Sequence, residues 1–308
     1  MKKPLKAKMT AEAFVPGHVT GFFRIHDEFE DPHLRGSTGS GFCINAGTTT
    51  RLSIRPAETT TISVVYNGSL LEAPVTDVVV SKMLEDNGVT MDVRVDYTSD
   101  LPIGTGYGAS GAGALGAAIT LDSLLHDEYD LYRAGRYAHY AEVVNHTGLG
   151  DIIAQTVGGL EIRLKPGAPG IGDARRISGP TGRRVVLAGS PGIETRFVLT
   201  NPETKGKINR AGERLTERLD SAPGFETFIE CSRLFANSTN LMPERVADAL
   251  SGLERAGFSD SSMVMLGDAV FCFCEGDAQA ACRILAEHYR EDEVMVTEIY
   301  YEGGALRG

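Results

Sequence analysis

The sequence predicts an α+β protein built as two domains, and three observations carry that expectation. Short apolar-polar alternations crowd the first third of the chain. A glycine- and proline-rich stretch, "PGAPGIGDARRISGPTG" at 166–182, then breaks the pattern. Beyond it the elements run strand, helix, strand, strand, helix, strand, the order of the split βαβ or ferredoxin-like plan. With 308 residues, 42% of them hydrophobic, the chain can bury one large core or two of ordinary size.

Taken in order, "AEAFV", "VTGFFRI", "TTTRLSI", "TTISVVY" and "MDVRVDY" each alternate with a period of two, the signature of half-buried strands in a mixed sheet. A helix is expected near 73–86, and three more follow at 110–126, 130–147 and 151–157. The strand "LEIRLK" at 160–165 closes the section. The 166–182 stretch reads as a long loop or joint dividing residues 1–165 from 183–308. After it come a strand at 184–188, helices through 203–254, strands at 261–266 and 269–274, a helix at 277–289 and a strand at 293–299.

Bulk properties exclude several classes. The net charge of −11 opposes a nucleic-acid partner, because backbone binding needs clustered Lys and Arg. The basic start, Lys2, Lys3, Lys6 and Lys8, reads as a solvated tail. No apolar run reaches the ~18 residues that span a bilayer, and the N-terminus lacks the apolar core of a signal peptide. A cytoplasmic protein without a membrane partner is expected. Five cysteines, an odd number without a CxxC pair, make no disulfide framework; Cys272 and Cys274 fall on one face of a strand, where small buried thiols sit.

The stretch "LPIGTGYGASGAGALGAAIT" at 101–120 carries six glycines, with Thr105 and Ser110 among them, into an apolar helix. Backbone free of side chains lets a ligand approach, and the unpaired N–H groups that open a helix attract negative charge, so a phosphate is the expected ligand. Gly106, Gly108 and Gly111 satisfy GxGxxG, which admits a nicotinamide-dependent oxidoreductase. Their context opposes it: several strands precede them, and the region ~20 residues on reads as helix rather than as an acidic strand end. A P-loop is excluded because no lysine lies between Lys82 and Lys165. Ser110 can bring a hydroxyl to a phosphate oxygen or its magnesium.

In "YAHYAEVVNHTGLGDIIAQTVGG" at 137–159, Glu142 and His146 share a helix face, with His139 close to it. The spacing fits no usual zinc signature. Gly148 and Gly150 end that helix, and Asp151 puts a carboxylate at the start of the next, as an N-cap, a catalytic group or both.

The same residues carry a resemblance. Pro102, then Gly106, Tyr107, Gly108, Ala109, Ser110, Gly111 and Ala112, look like the phosphate-binding motif of the GHMP kinase superfamily, departing at Ala109, where Ser is frequent, and at Gly111, where Ala is usual. Glu142, Asp151 and the Gly-Gly that ends the next helix resemble that family's magnesium ligand, catalytic Asp and following turn, with a slightly shorter loop. The resemblance implies a two-domain GHMP fold, a mixed N-terminal α+β domain with a left-handed crossover and a ferredoxin-like C-terminal domain, with the active site in the cleft. It further implies ATP held by Pro102, Gly104, Thr105 and the amides through Gly111, Mg2+ held by Glu142 and Ser110, and Asp151 as the base that takes the proton of the attacking alcohol. A homodimer is the family habit.

"FVPGHVTGFFRIHDEFEDPHLRGSTGSGFCI" resembles the first GHMP motif, with His18 where Lys or Arg is usual and Arg24 where sugar kinases carry a carboxylate. The reversed charge implies an acidic small-molecule substrate, since an unpaired buried guanidinium is costly. His18, Arg24 and Arg35 are the expected substrate ligands, Phe22 and Phe23 an apolar wall, and "RGSTGSG" at 35–41 an anion-cradling nest. The arrangement resembles the archaeal branch of the superfamily that phosphorylates pantoate for coenzyme A synthesis. Another hydroxy acid or amino acid, such as shikimate or homoserine, is the alternative substrate, and a catalytically silent binding protein of the same fold is a further alternative. The third family motif survives only faintly in "SSMVMLGDAVF", with Gly267 as its remnant.

Overall fold

In a computed structural model that describes residues 8–192 and 201–307, two sheets organise the chain. Lys2, Lys3 and Lys6 lie outside the described residues. The first sheet takes β1 (Met9–His26), β2 (Gly36–Pro56), β3 (Thr61–Tyr66), β4 (Ser69–Leu70), β5 (Met91–Ser99), β6 (Leu160–Lys165) and β7 (Asp173–Arg176). A last strand, β12 (Ala305–Arg307), returns from the end of the chain to pair with β1.

The two alternating runs at 11–15 and 19–25 belong to one long strand. β1 runs antiparallel to β2 throughout, and the register slips at Pro16/Gly17, where proline has no N–H to give the ladder, and again at Thr20/Phe22. Residues 36–41, expected as an anion nest, are instead the first part of β2, and their main-chain groups are committed to β1 on one side and, from Gly39, to β6 on the other. Glycine there serves close packing: a Cβ on Gly41 would overlap the His18 ring, and one on Gly39 would overlap the Phe22 carbonyl.

β3 and β5 are parallel and joined through α1 (Pro74–Asn87), which opens on Pro74 and ends on Gly88 with φ 65°. α2 (Ala109–Leu125) is buried along most of its length against β1 and β2, and Gly116 lets its backbone come onto Thr50. α3 (Leu131–Asn145) and α4 (Asp151–Val157) complete this layer.

The second sheet contains β8 (Arg184–Ser190), β9 (Ser261–Met263), β10 (Asp268–Cys274) and β11 (Val294–Glu298), all antiparallel in the order β11-β8-β10-β9. With the first and third strands central, this is the ferredoxin-like arrangement the sequence predicts. Among the described residues, α5 (Pro202–Ser221), α6 (Phe225–Thr239) and α7 (Glu244–Arg255) stand between β8 and β9, and α8 (Ala278–Leu285) follows β10. The strand expected to reach 266 stops at Met263, because the chain turns through Leu266 at φ 67°.

Aromatic packing joins the two halves. Phe42 of β2 meets Phe271 and Phe273 of β10 at centroid distances of 5.3 and 5.0 Å, and Phe228 of α6 at 6.0 Å. Such pairs add roughly 0.5–1.5 kcal/mol each beyond area burial. Phe22 lies fully buried in the same layer against Phe228 and Phe235. No helix among the described residues is long and apolar enough to cross a membrane.

Candidate active site

A cavity of about 780 Å³ opens between the halves, and the glycine loop forms one wall. Every loop residue nominated from the sequence lines it except Thr105, which turns inward and donates its hydroxyl to the Pro102 carbonyl at 2.9 Å. Gly104, Gly106 and Gly108 hold φ of 83°, 82° and 70°, a region closed to most side chains. Gly108 caps α2, yet no side chain bonds the first-turn amides and no acidic residue occupies that turn. Those amides and the positive end of the helix dipole therefore face the cavity unneutralised, a ready anion site.

The loop is held from behind by residues that sequence reasoning missed or read faintly. Gln155 of α4, fully buried, donates to the carbonyls of Pro16 at 2.9 Å and Gly108 at 3.1 Å. The His18 amide donates to the Tyr107 carbonyl at 3.0 Å. The faint third motif is a structural support: a Cβ on Gly267 would overlap the Thr105 carbonyl, and Gly106 packs on Val264 and the Met265 carbonyl.

On the far side of the loop, the Ser110 hydroxyl donates to Glu142 Oε1, which also accepts from Thr147 Oγ1 at 2.9 Å. Glu142 Oε2 is buried without a partner, and Gly148 leaves the space beside it, where a Cβ would overlap that oxygen. Burial, only partly offset by the Ser110 hydrogen bond and reinforced by the Asp151 charge, pushes the Glu142 carboxyl up to about 7. A buried carboxylate oxygen with no donor, next to a serine hydroxyl and the anion site, fits a hard divalent cation. His139 and His146 do not join it: His139 bonds the Arg35 carbonyl at 3.0 Å and burial drives its pKa down to about 4, while His146 caps α3 at φ 58°.

Asp151 stands at the start of α4 with 27% of its side chain exposed to the cavity. Its Oδ1 accepts from His18 Nδ1 at 2.7 Å. Burial alone would raise this carboxyl, but the His18 hydrogen bond and charge, with Arg163 behind, outweigh it and hold Asp151 below the usual range. His18 is fully buried, and its Nε2 lies 3.2 Å from Glu161 Oε1, which also accepts from Arg163. Burial would lower the His18 pKa, yet these two carboxylates raise it. Neither Glu161 nor Arg163 stands out in the sequence, where "LEIRLK" reads only as the strand that closes its section. The structure buries both faces of β6, and the side chains two apart point together at His18.

Of the expected substrate ligands, His18 reaches the site only through Asp151. Arg24 pairs with Glu213 of α5, so no substrate anion is needed to balance it, and Arg35 donates to the carbonyls of Phe29 and Glu30 at 2.6 and 3.3 Å. Neither lines the cavity. Phe23, Thr20 and Ser37 do, beside Asp151. Behind Gly150, Arg163 keeps its Nε buried and unpartnered close to Ser37.

This geometry, an uncapped helix N-terminus, an acidic pair and a cleft between a mixed domain and a ferredoxin-like one, has counterparts. The family model for the GHMP kinases N terminal domain matches residues 75–159, and that for the GHMP kinases C terminal domain matches 212–291. The chain belongs to the GHMP kinases, which use ATP. It is 34% identical over 310 aligned residues to the pantoate kinase of Thermococcus kodakarensis, covering 96% of this chain and 97% of that protein. The pantoate kinase of Methanocaldococcus jannaschii is 32% identical, over 94% of this chain and all of its own length. Among solved structures, a phosphotransferase related to the CoA biosynthesis pathway superposes with a TM-score of 0.86 at 31% identity, over 97% of this chain and 99% of that one. A homoserine kinase from Cytophaga hutchinsonii shares the fold, with a TM-score of 0.68 at 14% identity over 99% of each chain.

Proposed function

We propose that this chain transfers the γ-phosphoryl group of ATP to the primary alcohol of pantoate, forming 4-phosphopantoate. The observation that carries the reading is one cavity lined by the free amides of α2, by Ser110, which donates its hydroxyl to the buried Glu142, and by the Asp151 carboxylate. The similarity to pantoate kinases along nearly the whole chain supports the choice of acceptor.

In this reading the amides from Gly104 to Gly111 hold the phosphates as fixed dipoles. Glu142 and Ser110 would hold Mg2+, which when bound neutralises charge on the transferring group. Asp151 lines the cavity with its Oδ1 held by His18, and its second oxygen accepts the hydroxyl proton as the alcohol oxygen attacks. Ser37, with the free Nε of Arg163 behind Gly150, receives the substrate carboxylate, and Phe23 faces the gem-dimethyl group.

A coupled ADP-release assay across pantoate, shikimate, homoserine and mevalonate tests the reading. Pantoate-dependent ADP release, with none above background for the other three, is expected. Turnover of homoserine or shikimate without pantoate turnover would overturn it.

A further inference from the structure

His18 is enclosed on every side. Asp151 of α4 takes its Nδ1, Glu161 of β6 faces its Nε2, and Arg163 of β6 stands 3.5 Å from the same nitrogen. Cys43 of β2 lies opposite in register, a thiol pushed up by burial and by the Glu161 and Asp151 charges, hence neutral. Glu142 of α3 lies beyond Asp151, across Gly148.

An ionised carboxylate only accepts hydrogen bonds, so the ring serves both only with a proton on each nitrogen; the competing donor at Nε2, Arg163 Nη1, is farther off at 3.5 Å and already donates to Glu161. The charges then balance: His18 and Arg163 against Asp151 and Glu161. Removing one His18 proton would leave either the cavity-lining Asp151 or the buried Glu161 facing a lone pair on a fully buried ring. Gly41 keeps this geometry open, since any side chain there would strike the ring.

We propose that Glu161 is a positioning residue that keeps His18 a doubly donating imidazolium against Asp151, and thereby sets the upper pH limit of phosphoryl transfer. This rests on Asp151 acting as the base. During the step the alcohol proton moves to Asp151 Oδ2, the alcohol oxygen bonds the γ-phosphorus, and the bond to the β-phosphate oxygen breaks to release ADP. His18 keeps both protons throughout, holding Oδ1 in place while Oδ2 works. Above the His18 pKa the Nδ1 or Nε2 donor is lost, and the carboxylate is no longer held.

The test pairs kcat–pH profiles with 15N NMR of histidine-labelled enzyme. In the wild type, the basic limb of kcat and the His18 15N titration should coincide above the ordinary histidine value. Glu161→Gln removes one flanking charge and should move both to lower pH by about one to three units, the usual effect of a close carboxylate. Glu161→Asp, which keeps the charge, should move them back. A folded Glu161→Gln enzyme with the wild-type limb would overturn the proposal. So would a neutral His18 in the wild-type spectrum at pH 7, a reading that stands even where the Gln variant does not fold. Asp151→Asn separates the two ideas: full turnover there removes the base, whereas an inactive Asn variant beside a neutral His18 removes only the role of Glu161.

Discussion

Magnesium–ATP binding should expel a proton from Glu142, and the amount follows from its environment. The carboxyl is raised from 4.5 to about 7, chiefly by burial. One unit below that value the group is about ten parts protonated to one ionised, so binding at pH 6 should release about 0.9 proton, and at pH 8 about 0.1. Apparent affinity should accordingly fall about tenfold from pH 8 to pH 6. Isothermal titration with preformed magnesium–ATP, in buffers of different ionisation enthalpy, reads the protons directly. Glu142→Gln should bind weakly and release none through this group. The metal-free protein carries the same proton into its folding equilibrium. Between pH 4.5 and about 7 the folded state holds a proton the unfolded chain has lost, so this group makes stability fall as pH rises through that window, and Glu142→Gln should remove that part of the decline. Equal proton release at pH 6 and pH 8, or equal release from the Gln variant, would refute the assignment of Glu142 to the metal.

Asp151→Asn should leave nucleotide affinity within a few-fold while lowering kcat by roughly 10²–10⁴, the range of a lost general base; near-normal kcat removes the base. Gly267→Ala places a methyl group on the Thr105 carbonyl and must push the glycine loop, so KM for ATP should rise more than KM for pantoate. A uniform loss of stability with unchanged KM for ATP would show that the loop is not what moves. Arg24→Leu breaks a partly exposed pair with Glu213 and should cost less than about 1 kcal/mol in thermal unfolding, with KM for pantoate unchanged. A large rise in that KM would return Arg24 to the substrate site.

The legible parts of the site were those whose chemistry is local in sequence. Six glycines running into an apolar helix announce an anion site without knowledge of the fold, and Asp151 after two glycines announces a carboxylate at a helix start. The βαββαβ order likewise needs only periodicity, and the second sheet follows it. Contacts across strands were not legible. Glu161 and Arg163 alternate with Leu160 and Ile162, a pattern equally suited to a solvated face; only the neighbouring β2, with glycine at 39 and 41, makes the room that buries them against His18. The same glycines misled the reading of 35–41 as a nest, because glycine for close packing and glycine for a turn look alike in one sequence. For Arg24 the reason is different: its counter-charge, Glu213, lies 189 residues away on α5, beyond any local pattern.

The most direct test of the central claim is the structure of the enzyme with magnesium, a non-hydrolysable ATP analogue and pantoate. The triphosphate should lie on the amides that open α2, with its terminal phosphate beside Ser110 and the pantoate hydroxyl within hydrogen-bond reach of Asp151. A triphosphate bound away from these amides, or a hydroxyl turned from Asp151, would contradict the account.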